Sequence, residues 1–121
     1  MSGKLLDERR VLIVEDEFLV TVVLEAAVEE AGASVVRLAA CTADALALIE
    51  AESFDVALLD ARLDDEPVTA IADALDARGI PFVFHSGYGP EHLPSAHRHR
   101  PLLRKPSLSS SVVQALHEVM K

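Results

Sequence analysis

The chain has 121 residues, half of them apolar and 26% charged, which is enough for one domain with a real core and too little for two. Its 11 basic and 20 acidic residues leave a formal net charge of −9, which disfavours binding to nucleic acid or to anionic membranes. Cys41 is the only cysteine, so no internal disulfide forms and a reducing cytosol fits; Met1–Arg10 lacks the apolar core of a signal peptide, and the longest apolar stretch, Phe18–Leu24, is far too short to span a membrane.

Val11–Val14 is a short apolar run after Glu8, Arg9 and Arg10, and reads as a first strand ending in Glu15, Asp16 and Glu17. A helix is expected from about Glu17 to Ala31, with Leu19, Val22, Val23, Ala26 and Ala27 as its apolar stripe and Phe18 and Leu19 in the core; Gly32 suits the residue behind its last turn. Ser34–Leu38 is β-branched and reads as a second strand near an edge, because Arg37 interrupts it. Thr42 is placed to cap a helix over Ala43–Ala51 whose apolar face is Ala45, Leu46, Leu48 and Ile49. Asp55–Leu59 is a nearly continuous apolar run, the mark of a strand buried on both faces, and Asp60 closes it.

Pro67 suits the first turn of a third helix ending near Arg78, with Ile71, Ala74 and Leu75 inward. Pro81–Phe84 reads as a fourth strand. Gly87, Gly89, Pro90 and Pro94 then make Gly87–Arg100 a poor helix, and Leu102–Leu103 a brief fifth strand. A last helix runs to Met120, capped by Ser107 or Ser109, with Val112, Val113, Leu116, Val119 and Met120 as its stripe. Strands alternating with helices at this spacing mean a parallel α/β sheet covered on both faces.

In such sheets, ligands bind beyond the carboxyl ends of the strands. Glu15 and Asp16, Asp60, Ser86 and Lys105 all stand at those ends. Crowded carboxylates repel unless a cation neutralises them, and an all-oxygen set suits a hard ion such as Mg²⁺. An ammonium and a hydroxyl aimed at the same point would bind phosphoryl oxygens, and a carboxylate can be the nucleophile that accepts the group. Taken singly, each residue has a plainer reading. Glu15 and Asp16 can cap the first helix, Ser86 can be a turn residue, and Lys105 a surface charge. His92, His97 and His99 have a spacing compatible with metal binding, but beside Arg98 and Arg100 they read better as a solvated loop. Cys41 reads as a packed or idle thiol.

Together and in order, these residues resemble the response-regulator receiver domain of bacterial two-component signalling, over essentially the whole chain. The resemblance implies a flavodoxin-like, doubly wound sheet of five parallel strands in the order 2-1-3-4-5. It implies a single receiver domain over residues 1–121 with no output domain, and no enzymatic activity beyond its own phosphotransfer and dephosphorylation. Glu15 and Asp16 match the acidic pair that helps hold Mg²⁺, Asp60 the aspartate that accepts phosphate from a kinase phosphohistidine, and Arg62 the position whose backbone carbonyl also binds the metal. Ser86 matches the switch Thr/Ser, and Lys105-Pro106 the Lys-Pro whose peptide bond is usually cis. Arg62 and Tyr88 fall at the positions that flank the path of the attacking water and so tune the lifetime of the phosphorylated state.

The stretch Pro81-Phe82-Val83-Phe84-His85-Ser86-Gly87-Tyr88 looks like the Pro-Phe-x-Phe-Ala-Thr-Gly-Tyr segment of single-domain receivers associated with histidine kinases of the HWE class, in which a loop largely replaces the fourth helix. His85, Ser86 and Ser107 depart from family usage. Leu102 stands where most receivers carry an aromatic residue, so an aromatic rotamer switch is not supported here. The expectation is a cytoplasmic phospho-accepting switch, a monomer or weak dimer, whose partners are a histidine kinase or phosphotransfer protein and a downstream protein. A pseudo-receiver that binds a partner without phosphorylation is the alternative. An aspartate-nucleophile phosphatase would need a second Asp where Arg62 stands, and a dinucleotide enzyme a Gly-x-Gly-x-x-Gly after the first strand.

Overall fold

The computed structural model describes residues 4–64 and 66–121. In chain order the elements are β1 (Arg10–Val14), α1 (Phe18–Glu30), β2 (Val35–Ala39), α2 (Thr42–Ala51), β3 (Val56–Asp60), β4 (Arg62–Leu63), β5 (Glu66–Pro67), α3 (Thr69–Ala77), β6 (Phe82–Ser86), β7 (Leu102–Arg104) and α4 (Ser109–Val119). Five of the strands pair in parallel in the order β2-β1-β3-β6-β7, which counted over the parallel strands alone is the expected 2-1-3-4-5. β2 lies at an edge, as Arg37 suggests.

Successive strand residues point to opposite faces of a sheet. Leu12, Val14, Ala57, Leu59, Phe82 and Phe84 therefore pack beneath α2 and α3, while Val11, Ile13, Val56, Leu58 and Val83 pack beneath α1 and α4. All five residues of β3 are buried, which is why its sequence is apolar without alternation. Gly32 follows α1 at φ +105°, and a Cβ there would lie 2.9 Å from the Asp7 backbone, so the turn needs glycine.

The structure corrects several local expectations. α1 buries Leu24 and Val28, whereas Phe18 and Leu19 are 76% and 77% exposed and Val22 and Val23 also face water. The helix is apolar on nearly every side, so periodicity gives it no unique phase; exposed Glu29 and Glu30 turn Leu24 and Val28 to the sheet. Pro67 belongs to a short β4–β5 hairpin, in which Arg62 opposes Pro67 and Leu63 opposes Glu66, and α3 starts at Thr69. No hydroxyl caps α2 or α4. Ser107 Oγ instead donates to the Arg104 carbonyl at 2.6 Å.

Gly87–Arg100 forms no α-helix, only two 3₁₀ turns at Pro90–His92 and Ser95–His97. It is nevertheless not a solvated loop throughout. His97 is 3% exposed, its Nε2 lies 2.7 Å from Asp73 Oδ1 on α3, and its ring sits 5.9 Å from that of Phe82. The Arg100 guanidinium covers the same Phe82 ring at 4.7 Å and pairs with Asp76. His97 and Arg100 thus strap the segment to α3, an arrangement hidden from a reading that sees only a basic, Pro-rich stretch.

Candidate functional site

The strand order brings the chemistry together at one edge. Glu15 follows β1 and Asp60 ends β3, its neighbour in the sheet. β6 comes next and ends at Ser86, and β7 after it leads to Lys105. Lys105 must therefore reach across the end of β6. Its long stem does so, placing Nζ 3.3 Å from Asp60 Oδ2 and 3.0 Å from Glu15 Oε1. The Arg62 N–H donates to Asp60 Oδ1 at 3.3 Å, the Glu17 N–H to Glu15 Oε2 at 3.1 Å, and the Asp64 N–H to Asp16 Oδ2 at 3.0 Å. Ser86 Oγ accepts from the Tyr88 N–H at 2.9 Å, and the Ser86 carbonyl accepts from the Lys105 N–H at 2.8 Å. The Lys105–Pro106 peptide is cis. A cavity of about 270 Å³ opens here, bordered by Asp16, Asp60, Arg62, Ser86, Tyr88 and Lys105.

Burial sets the electrostatics. Asp60 is 8% exposed, and loss of water pushes its carboxyl up to about 6, with the Glu15 charge adding to the rise and Lys105 and the Arg62 N–H opposing it. Burial pulls the Lys105 ammonium the other way, but its bond to Glu15 and the charges of Asp60 and Glu15 win, and its pKa lies above the usual lysine value. One lysine among Glu15, Asp16 and Asp60 leaves an excess of negative charge. One oxygen from each of these carboxylates lies within 4.8 Å of the others. Hard oxygen donors held this closely, with a carboxyl already resisting ionisation, fit a small divalent cation such as Mg²⁺.

Every residue expected at the site lies at this edge: Glu15, Asp16, Asp60, Arg62, Ser86, Tyr88, Lys105 and Pro106. The Tyr88 side chain is 59% exposed and leans on His92 at a ring distance of 4.8 Å. The three loop histidines form no metal-binding group among the described residues. Sequence reasoning missed Asp64, because nothing marked Arg62–Pro67 as a hairpin. It also left His85 without a place. His85 lies opposite Asp60 in the strand register and is 4% exposed, with no hydrogen-bond partner for either ring nitrogen among the described residues; burial first, then Lys105, lowers its pKa.

Residues 11–95 match the family model described as the response regulator receiver domain. The chain belongs to this family. Among solved structures, the receiver is similar to SdrG from Sphingomonas melonis Fr1, with 38% identity, a TM-score of 0.81 and full coverage of both chains. It also resembles a CheY-like response regulator receiver domain protein from Methanospirillum hungatei JF-1, at 26% identity, a TM-score of 0.80 and 93% coverage of each chain. The response regulator PhyR from Brucella abortus is 31% identical with a TM-score of 0.80; there 98% of this receiver aligns with 51% of the longer protein. Comparison with curated protein sequences gives no match. No helix among the described residues of the receiver is long and apolar enough to cross a membrane.

Proposed function

We propose that this receiver is a phospho-accepting switch that takes a phosphoryl group on Asp60 from a phosphohistidine. The observation that carries the reading is the Asp60 carboxylate held between the Arg62 N–H and Lys105, beside a carboxylate pair able to hold Mg²⁺. An Asp60 oxygen attacks phosphorus, the P–N bond of the donor breaks, and the imidazole leaves with the electron pair while the aspartyl P–O bond forms. Glu15, Asp16, Asp60 and the Arg62 carbonyl would hold Mg²⁺, which would neutralise charge on the phosphoryl oxygens when bound. Lys105 shifts its ammonium from the carboxylates to one of those oxygens, and the Ser86 hydroxyl donates to another. Water later attacks the acyl phosphate, and the exposed side chains of Arg62 and Tyr88 at the cavity mouth slow its approach.

The donor is a histidine kinase, of the HWE class by the Pro81–Tyr88 stretch, or a phosphotransfer protein. The exposed apolar side chains of Phe18, Leu19, Val22 and Val23, on the helix that begins beside the acidic pair, offer it a docking face. The phosphorylated form, a monomer or weak dimer in the cytoplasm, signals by contact with a downstream protein or by relay.

Incubation with acetyl phosphate and Mg²⁺, read by intact mass, tests the reading. One added phosphoryl group is expected, abolished by Asp60→Asn and by chelation of Mg²⁺. Equal labelling of Asp60→Asn contradicts the assignment. Partner binding that persists in an unlabelled protein would favour the pseudo-receiver.

A further inference from the structure

The β4–β5 hairpin has a place in the site that phosphoryl chemistry alone does not require. It starts two residues after Asp60, and only two residues connect its strands. Asp64 is the first of them and adopts φ +51°, the left-handed conformation that a two-residue hairpin connection demands. Asp and Asn enter that region far more readily than other side chains, and β-branched residues scarcely at all. Leu63, 3% exposed, anchors the hairpin in the core beside α2 and α3, so the connection is pinned rather than free. From this pinned position the Asp64 N–H reaches back to β1 and donates to Asp16 Oδ2 at 3.0 Å. The same hairpin donates the Arg62 N–H to Asp60 Oδ1 at 3.3 Å.

We infer that Asp64 is a positioning residue. Through its left-handed backbone, it turns one N–H onto Asp16 and fixes that exposed carboxylate for the cation before the cation arrives. The inference rests on the proposed Mg²⁺ site, but not on phosphorylation of Asp60. A carboxylate with one oxygen held by a pinned N–H keeps only rotation about that bond, so its second oxygen stays at the cavity mouth. The entropy of ordering a solvent-exposed side chain is then met by the fold and not by the ion. Hydrogen-bond partners behind a metal ligand typically change affinity about tenfold to a hundredfold when lost. The side-chain charge of Asp64 also faces the cavity, so the test must separate charge from backbone conformation.

Mg²⁺ is titrated into the full chain, without phosphodonor, and followed by amide resonances of Asp60 and Ser86. Asp64→Asn removes the charge but keeps left-handed tolerance, and Asp64→Gly does the same with no side chain. These two should bind Mg²⁺ within about twofold of each other, and Asp64→Val about tenfold more weakly than either. Equal affinity in Asp64→Val and Asp64→Asn overturns the inference. Should Asp64→Val fail to fold, exchange of the Asp64 amide decides, because Asp16 is exposed and Asp16→Ala leaves the core intact. Protection of that amide should fall at least about tenfold in Asp16→Ala, and unchanged protection overturns the inference as well. Neither readout needs a phosphoryl group, so a failure of Asp60 to be labelled would leave both results interpretable.

Discussion

Asp60→Asn should stabilise the metal-free protein, although it removes an ion pair. The folded state raises the Asp60 carboxyl from 3.8 to about 6, mainly by burial and then by Glu15. A raised carboxyl binds its proton more tightly in the native than in the unfolded chain. Stability is therefore unaffected below about pH 3.8, falls as pH rises through the window to about 6, and stays reduced above it. At 1.36 kcal/mol per pKa unit the full difference is about 3 kcal/mol; the carboxyl borders the open cavity, and screening reduces this to about 2 kcal/mol. Asparagine keeps the shape and loses the charge, and Lys105 retains Glu15 at 3.0 Å. In chelator at pH 7.5, Asp60→Asn should gain about 2 kcal/mol in urea unfolding, or roughly 5–10 °C in Tm for a chain of this size. The gain should shrink to about half at pH 5, where native Asp60 is already largely protonated. Mg²⁺ should narrow it further at pH 7.5 by stabilising the wild type. A variant no more stable than the wild type at pH 7.5, or a gain independent of pH, would refute the electrostatic account of the site.

His97→Ala should cost about 2–3 kcal/mol, because it empties a buried site against Phe82, while Asp73→Asn, at the exposed end of the same contact, should cost under about 1 kcal/mol; urea unfolding of both checks the strap, and a negligible effect of His97→Ala would sink it. The double variant Arg62→Ala plus Tyr88→Ala should lose its phosphoryl group several-fold faster than the wild type, followed by decay of the labelled mass, and an unchanged or slower decay counts against obstruction of the water path. Amide exchange over Gly87–Arg100 should be faster than in α4 in the free protein and slower once a beryllofluoride mimic of the phosphoryl group is bound. Indifference to the mimic would remove this segment as the reporter of the switch.

The sheet was legible because its strands are short apolar runs punctuated by polar residues, and the run before Asp60 suits a strand covered on both sides. The site followed from the sheet, since residues at carboxyl ends of parallel strands converge whatever the details between them. α1 was legible as a helix but not in its orientation. A helix with apolar residues on all sides leaves the choice to tertiary packing, which here turns Phe18, Leu19, Val22 and Val23 outward. A histidine among arginines looks solvated until Asp73 and Phe82 are known to contact His97. The hairpin carrying Asp64 was invisible for a related reason. Two-residue strands have no periodicity, and Pro67 suits a helix start as well as an edge strand.

The account stands on Asp60 as the phosphoryl acceptor, and the most direct measurement is to trap the acyl phosphate chemically. After exposure to a phosphorylated kinase or to acetyl phosphate with Mg²⁺, borohydride reduction converts an aspartyl phosphate to homoserine, which peptide mass spectrometry locates. Homoserine at position 60 alone, absent without Mg²⁺, is the predicted result. Homoserine at Asp16 or another carboxylate, with position 60 unreduced, would contradict it.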